Sequence, residues 1–495
     1  MKLLTSTMLL VLAALPACAQ QLAFPEAQGW GRFATGGRTG AVYHVTNLND
    51  SGAGSLRDAA SQPNRIIVFD VAGVIKLLSR LVFSKNLYIA GQTAPGEGIT
   101  VYGNAVSFSG ATNTICRYMR FRMGAGGDSG RDCAGVSNGT NMIFDHCSFA
   151  WGRDETFSIN SDGKGDLGDI TIMNCIVGQG LMSHSAGGLI QADNITLYRN
   201  FYCDNNTRNN KVKGRNQYAN NIVYNWKDGA YIMGGDSEGQ SYCNIQGNLF
   251  INGPCGDGNG FSGGNGNFHC YVKDNMQDKD RDGQLNPAAI TNFAGSDVVA
   301  TPYAYPSLDI SPASSVLSQL SETGASYPFR DYVDYYMVDE VMTFGKEGAF
   351  ISNEGSLPYG IPSAWKVWKG EQPVDTDKDG IPDTWEAIIG SDPAKDDAMV
   401  IGESGYANIE LYLNSLPAAH NDLAFLRQPM LVSLQSSTTT TMQITWRDWT
   451  EREDGFAVET KTEGGDFVEV ARTEPNATSL RLAGLEPGLA YTVRI

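Results

Sequence analysis

Near its C-terminal end the chain reads Asp375-Thr376-Asp377-Lys378-Asp379-Gly380-Ile381-Pro382-Asp383-Thr384-Trp385-Glu386. Carboxylates at alternate positions suit a hard cation that takes about six to eight oxygen ligands. The run fits the ligand positions of an EF-hand loop, with Asp375, Asp377, Asp379, Asp383 and a bidentate Glu386, the Ile381 carbonyl, and Gly380 for the sharp turn. We expect Ca²⁺ here in a structural role, stapling a small helical unit that includes residues 406–416. A second run, Asp278-Lys279-Asp280-Arg281-Asp282-Gly283, starts the same way but has Ala289 at its twelfth position, which leaves a weak site or a plain acidic turn. A different chemistry is offered by residues 199–215, where Arg199, Arg208, Lys211, Lys213 and Arg215 face one acid, Asp204. Such a stretch is either a solvated basic loop or a place for an anionic ligand. Asp145-His146 could form an acid–base pair or serve structure alone.

These groups need a scaffold, and composition narrows it. Of 495 residues, 42% are hydrophobic and 18% charged, so the chain buries a core and is not disordered. The 57 glycines fit many short strands joined by turns. A net charge of −18 argues against a nucleic-acid or anionic-membrane binder, since both reward a basic surface. Residues 1–19 have one Lys, an apolar run and Ala17-Cys18-Ala19, the pattern of a secretory leader. The protein is therefore expected to be secreted, or an outer-surface lipoprotein if Cys18 is lipidated, with no transmembrane segment. Eight further cysteines lie between Cys116 and Cys270, without metal spacing, and one or two disulfides at most are expected.

The central region repeats. Met119-Arg120-Phe121, Cys147-Ser148-Phe149, Cys175-Ile176-Val177, Asn200-Phe201-Tyr202, Asn221-Ile222-Val223 and Asn248-Leu249-Phe250 are separated by 28, 28, 25, 21 and 27 residues. A period in the twenties, built from strands without a helical pattern, marks a solenoid. One rung of three short strands and three turns uses about that many residues. Asn at a recurring turn can bond the next Asn along the stack. The predicted fold is therefore all-β: a parallel β-helix over residues 24–368. A short helix at Gly54–Ala60, capped by Ser55, would cover its open apolar end. Residues 293–367 read as the last coils and strapping loops.

Several blocks now carry a resemblance. Tyr43-His44-Val45-Thr46-Asn47-Leu48-Asn49-Asp50, Ile67-Val68-Phe69-Asp70, Ala90-Gly91-Gln92-Thr93-Ala94-Pro95-Gly96 and Ile143-Phe144-Asp145-His146-Cys147-Ser148-Phe149-Ala150-Trp151 are followed by Asp154-Glu155-Thr156, Arg208-Asn209-Asn210 and Asn220-Asn221-Ile222-Val223-Tyr224-Asn225-Trp226. In this order they resemble a bacterial pectate lyase of polysaccharide lyase family 1. The resemblance implies a right-handed β-helix that cleaves polygalacturonate by Ca²⁺-dependent β-elimination. It places Asp132 and Asp154 as calcium carboxylates and Arg208 as the catalytic base. Lys213 falls where a substrate-binding arginine is common, with Arg215 and His184 as further substrate contacts. The chain departs from the family in three places: Ser158 replaces the third calcium carboxylate, Asn210 replaces a proline, and no lysine lies in 176–190. Such an elimination wants a divalent ion and fixed positive groups where charge develops. Arg199, Lys211, Lys213 and Arg215 would supply the field that lets a guanidine accept a proton.

Residues 373–418 form the EF-hand-like, thrombospondin type 3-like calcium segment. Residues 429–495 resemble a fibronectin type III domain, a partial β-sandwich that stops before its final strand. Partners are limited to the pectic polysaccharide, with the protein as a monomer. Competing readings are a pectin lyase acting on methyl-esterified chains, against which Asp132 and Asp154 argue, and a non-catalytic pectin-binding surface protein. A hydrolase would need a catalytic acid pair, which the rungs do not offer.

Overall fold

The structure, a computed structural model, describes residues 20–495 apart from 235–238, 366, 368, 418–428 and 449–452. The leader with Cys18, and Trp368 at the end of the expected β-helix, lie outside the described residues.

Each repeated triplet leads into a short strand, and the strands stack in register. Phe121 pairs with Phe149, Phe149 with Val177, Val177 with Tyr202, Tyr202 with Val223, and Val223 with Phe250. Eleven, eight and ten strands form three sheets, and neighbours within each sheet are one full circuit apart in sequence, save the terminal antiparallel pair Met276–Asp278 and Ala288–Ala289. The chain thus visits the three sheets in turn, which makes a parallel β-helix. Inward residues pile on their equivalents, as where the rings of Phe121 and Phe149 stack at 5.4 Å. Buried rings in offset or edge contact add roughly 0.5–1.5 kcal/mol per pair beyond the area they remove from water.

The turn into the ten-strand sheet explains the repeated Cys and Asn. Asn200 Nδ2 donates to Asn221 Oδ1 at 3.1 Å, Asn221 to Asn248 at 3.2 Å, and Asn248 to Asn275 at 2.8 Å. Each oxygen also accepts a backbone N–H of the preceding rung, so buried turn groups stay satisfied. Cys175 and Cys147 continue the ladder as small buried side chains. All eight described cysteines are unpaired.

Helix Leu56–Ala60, with the Ser55 side chain accepting from Asp58 N, lays Leu56, Ala59 and Ala60 into the first coil. Past the last parallel strand, Asp297–Val298, the chain turns back along the outside. Tyr303 N bonds Asn244, Gln217 bonds Pro306 O, and Ala325 N bonds Ser148 Oγ, in order of retreat along the coil. This strap contains an α-helix, Tyr332–Met342, where loops alone were expected. Its aromatic sequence hides the period, but Asp331 caps it by accepting from Asp334 N.

Two of the three outer faces are covered. Residues 23–34 and 381–413 lie on the eleven-strand sheet, packed on Ile66, Tyr88, Ile115 and Ile143. A Cβ on Gly31 would sit 1.9 Å from the Met142 carbonyl oxygen, so the leading segment lies flat only because that residue is glycine. Val316, Val333 and Met337 of the strap pack on Ile176, Phe201 and Ile222 of the ten-strand sheet. Among the described residues, no helix or strap runs along the eight-strand face. Toward the C-terminus, two three-stranded antiparallel sheets enclose Ile444, Trp446, Phe456, Val458 and Leu482.

Candidate active site

The eight-strand face carries a groove of about 320 Å³ lined by Arg80, Arg131, Asp132, Asp154, Glu155 and Ser158 among others. Its register follows from the rungs. Strand Ala134–Val136 pairs Ala134 with Phe157, which sets Asp132 level with Glu155 one rung on. Single bridges then pair Glu155 with Ala186 and Ala186 with Thr207. Residues around 132, 155, 186 and 207 therefore stack on four successive rungs, and the side chains beside them converge.

Asp132 Oδ1 accepts the Glu155 backbone N–H at 3.2 Å. Burial and the charges of Glu155 and Asp154 push its carboxyl up to about 7. Glu155, which lines the groove, is buried and forms an ion pair with Arg208, whose side chain remains 26% exposed. Asp154 Oδ1 lies 3.0 Å from His184 Nε2, and that nitrogen lies 3.3 Å from an Arg208 terminal nitrogen. One ring nitrogen cannot both donate to Asp154 and accept from Arg208, so the imidazole serves one of them at a time. Asp154, Glu155 and His184 place ligand atoms within 4.8 Å of one another.

Arg208 reaches the groove because its backbone is left-handed, φ 53°, turning the chain at the end of the bridge. The next turn is fixed from inside. Asn209 is fully buried, accepts from Asn205 Nδ2 at 2.9 Å and donates to Asn205 O at 3.1 Å. Buried Asn210 stands where the family pattern has proline.

The expected residues separate. Asp132, Asp154, His184 and Arg208 come together. Lys211 and Lys213 lie on the next stretch of the same sheet, paired with Leu189 and Gln191. Arg215 does not join them: it starts a strand of the eleven-strand sheet and pairs with Asp193 at 3.1 Å. Arg199 sits at another corner, its guanidinium 6.0 Å from the Tyr198 ring centroid. The expected field of four neighbouring cations thus reduces to Lys211 and Lys213. Ser158 sits beside Gly135 and accepts from Leu189 N at 3.2 Å, a backbone role. Glu155, without an assigned role in the sequence reading, is the third acid of the cluster. Its signal was the rung register, since Asp132 lies level with Glu155 and not with Asp154.

Asp145 and His146 lie away from the groove. Asp145 accepts from Arg117 Nε at 2.8 Å and Asn174 Nδ2 at 2.9 Å; burial works against its charge, yet His146 and Arg117 hold the carboxyl well below the usual range. Asp278, Asp280 and Asp282 are used as turn acceptors for Asn286, Asp282 and Gln284 backbone N–H groups.

The groove mixes Asp132, Asp154 and Glu155 with Arg80 and Arg131, and Arg208 joins it through its ion pair with Glu155, on the face that no described helix or strap covers. Hard carboxylate oxygens fit a divalent cation, and Asp132, Asp154 and Glu155 are the residues that could hold it. No family model matches the chain. The chain is similar to "Probable pectate lyase C" of Aspergillus flavus, at 49% identity over 83% of this chain and 98% of that protein. The protein of the same name from Neosartorya fischeri is 50% identical over the same shares. Among solved structures, pectate lyase Bsp165PelA from Bacillus sp. N165, in complex with trigalacturonate, has 18% identity, a TM-score of 0.44, and covers 60% of this chain and 98% of its own. The relatives named here are fungal, so the bacterial assignment made from the motifs finds no support, and neither do the EF-hand-like and fibronectin-like assignments. With half of its residues identical along nearly the whole length of such relatives, the chain belongs to the pectate lyase family.

Proposed function

We propose that this protein cleaves polygalacturonate by Ca²⁺-dependent β-elimination in the groove of the eight-strand sheet, releasing unsaturated oligogalacturonides. The observation that carries this reading is the meeting of Asp132, Asp154, Glu155 and Arg208 on the face that no described helix or strap covers. Among the described residues Glu155 pairs with Arg208, while Asp132 forms no ion pair with Arg80 and Arg131, which also line the groove, and its raised carboxyl marks a place where a cation would replace a proton. An acid left for a shared ion also argues against methyl-esterified chains, which bring no carboxylate to it.

When bound, the ion neutralises a substrate carboxylate and the charge that gathers there as the C5 proton leaves. Arg208 is the group that accepts this proton; the electron pair forms the C4–C5 double bond as the C4–O bond breaks, and the departing oxygen takes a proton from solvent water. Glu155 holds Arg208 at the groove edge, and its commitment to a cation would release the guanidinium toward the sugar. Lys211 and Lys213, on the same sheet, orient the polyanion. His184 keeps Asp154 in place. Arg215 is held by Asp193 and takes no part.

The fold and the leader at 1–19 fit a secreted enzyme, and lipidation of Cys18 has no support. No described helix is long and apolar enough to cross a membrane. The test is ultraviolet absorbance of unsaturated uronide during incubation with polygalacturonate, with and without a chelator. Absorbance that rises with calcium and stops on chelation is expected. Reducing ends without absorbance would mean hydrolysis and would reject the proposal.

A further inference from the structure

The acidic loop near the C-terminus departs from the pattern its sequence suggests. Asp375 uses its two oxygens to accept Lys378 N at 2.8 Å and Gly380 N at 3.0 Å, which closes the turn. Gly380 has φ 95°, and a Cβ there would come within 2.9 Å of Val42 of the first coil. Asp383, the ninth position of an EF-hand loop, faces elsewhere. Its carboxylate accepts Thr376 N at 2.8 Å and Thr376 Oγ1 at 2.7 Å.

In its place comes a residue outside the twelve-residue motif. Asp379, Glu386 and Asp397 bring carboxylate oxygens within 4.8 Å of one another, and so do Asp375, Asp377 and Asp379. Asp379 belongs to both groups and ties them together, accepting Asp397 N at 3.1 Å and Ala398 N at 2.9 Å. Two oxygens in this nest are buried without a hydrogen-bond partner: Oε2 of Glu386, whose side chain is wholly buried, and Oδ2 of Asp377. Buried carboxylate oxygens left this way are costly, and they point at a missing positive ligand. Among the described residues no lysine or arginine pairs with any of the five acids.

We infer that Asp375, Asp377, Asp379, Glu386 and Asp397 hold one calcium ion, with Asp383 outside the ligand set, and that this ion clasps the C-terminal helical unit onto the first coils of the β-helix. All donors are hard oxygens, the choice of calcium over softer-ligand metals. The mechanical consequence follows from what the ligands adjoin. Ile381 lies inside the loop and Ala398 beside Asp397, and both are buried with Ile409 and Leu413 against Ile66 and Val68. The ion joins the two segments that carry this apolar plug. A second tie, Arg38 to Glu410 at 2.8 Å, holds the far end of the unit. This site lies on the eleven-strand face and is independent of the groove chemistry.

The test uses the full chain, stripped with chelator and titrated calorimetrically with calcium in an Asp154→Asn background that weakens the groove site. One ion bound through the clasp is expected. Adding Asp397→Asn should weaken it by about thirtyfold or more, while adding Asp383→Asn, which keeps an acceptor for Thr376, should change it less than about threefold. Calcium should also slow proteolysis within 373–416, and Asp397→Asn should remove that protection. Glu386→Gln gives a second reading of the same loss. Asp397 is half-buried, so its variant is expected to fold if Glu386→Gln does not. Overturning results are no calcium-dependent protection in the wild type, or Asp383→Asn costing as much as Asp397→Asn. A missing groove ion would leave this readout untouched, so the two proposals fail separately.

Discussion

The eight-strand and ten-strand faces of the solenoid both carry clustered charge, and they use it in opposite ways. On the ten-strand face, Arg120 and Arg122 are 1% exposed and meet Asp331 and Asp334 of the strap, with Arg122 2.6 Å from Asp334. Burial raises the cost of the Asp331 charge, yet Arg122 and Arg120 outweigh it and hold the carboxyl below its ordinary value. Arg120 and Arg122 are matched by Asp331 and Asp334, the helix Tyr332–Met342 lies over them, and the space left beside Arg120 and Asp331 is only about 10 Å³. On the eight-strand face Glu155 pairs with Arg208, but among the described residues Arg80 and Arg131 line the groove without an ion pair to Asp132, whose carboxyl is pushed up to about 7 by burial and the charges of Glu155 and Asp154. The same residue types fasten a strap where they pair and form a binding site where they do not.

Exchanging equivalent damage between the faces breaks the comparison most sharply. Asp154→Asn should lower lyase rate at ordinary calcium by about a hundredfold or more, with partial recovery in excess calcium, and leave the unfolding midpoint nearly unchanged. Asp331→Asn should do the reverse: about 3–5 kcal/mol lost in denaturant unfolding, because Arg122 and Arg120 keep a buried charge with one partner fewer, and a rate within about threefold of wild type. Equal effects of the two variants on rate would remove the distinction.

A smaller effect lies under the same strap. Asp204 and Glu340 are buried together; burial pushes Asp204 up to about 6, and burial with the Asp204 charge pushes Glu340 well above its usual range. Acids whose folded values are raised give stability that is complete below the unfolded value, about 4, and is lost as pH rises through the folded values. The melting temperature should therefore fall as pH rises from about 4 through about 6 and above, and Glu340→Gln should flatten that fall by roughly half. An unchanged slope would mean that the pair does not share its proton. Smallest of all, Lys213→Ala should raise KM several-fold, about three to ten, with kcat nearly kept, because it steers a polyanion and does no bond chemistry. A kcat loss alone would assign it to the chemistry.

The triplets disclosed the ten-strand sheet to the residue, because a ladder of Asn and inward aromatics repeats only if each rung closes. The strap was harder to read. Tyr332–Met342 mixes aromatics and acids without a clear apolar stripe, and its stability comes from burial on Ile176 and Phe201, contacts that sequence cannot supply. Arg199 and Arg215 looked like neighbours of Arg208 because they adjoin it along the chain. A coil carries them to other corners within one circuit, so proximity in sequence misleads at any distance other than a full rung. Glu155 was hidden by the reverse effect: it is level with Asp132, but neighbouring Asp154 carried the motif. Asp397 lies beyond any twelve-residue pattern and enters only through the fold.

The central claim is that Arg208 takes the proton in the groove. The most direct measurement is the initial rate of ultraviolet absorbance from polygalacturonate in saturating calcium for wild type and Arg208→Ala, with calcium binding and melting temperature recorded on both. The account predicts a rate lower by about a thousandfold or more, with the fold intact and calcium still bound. An Arg208→Ala protein that turns over substrate near the wild-type rate would contradict it.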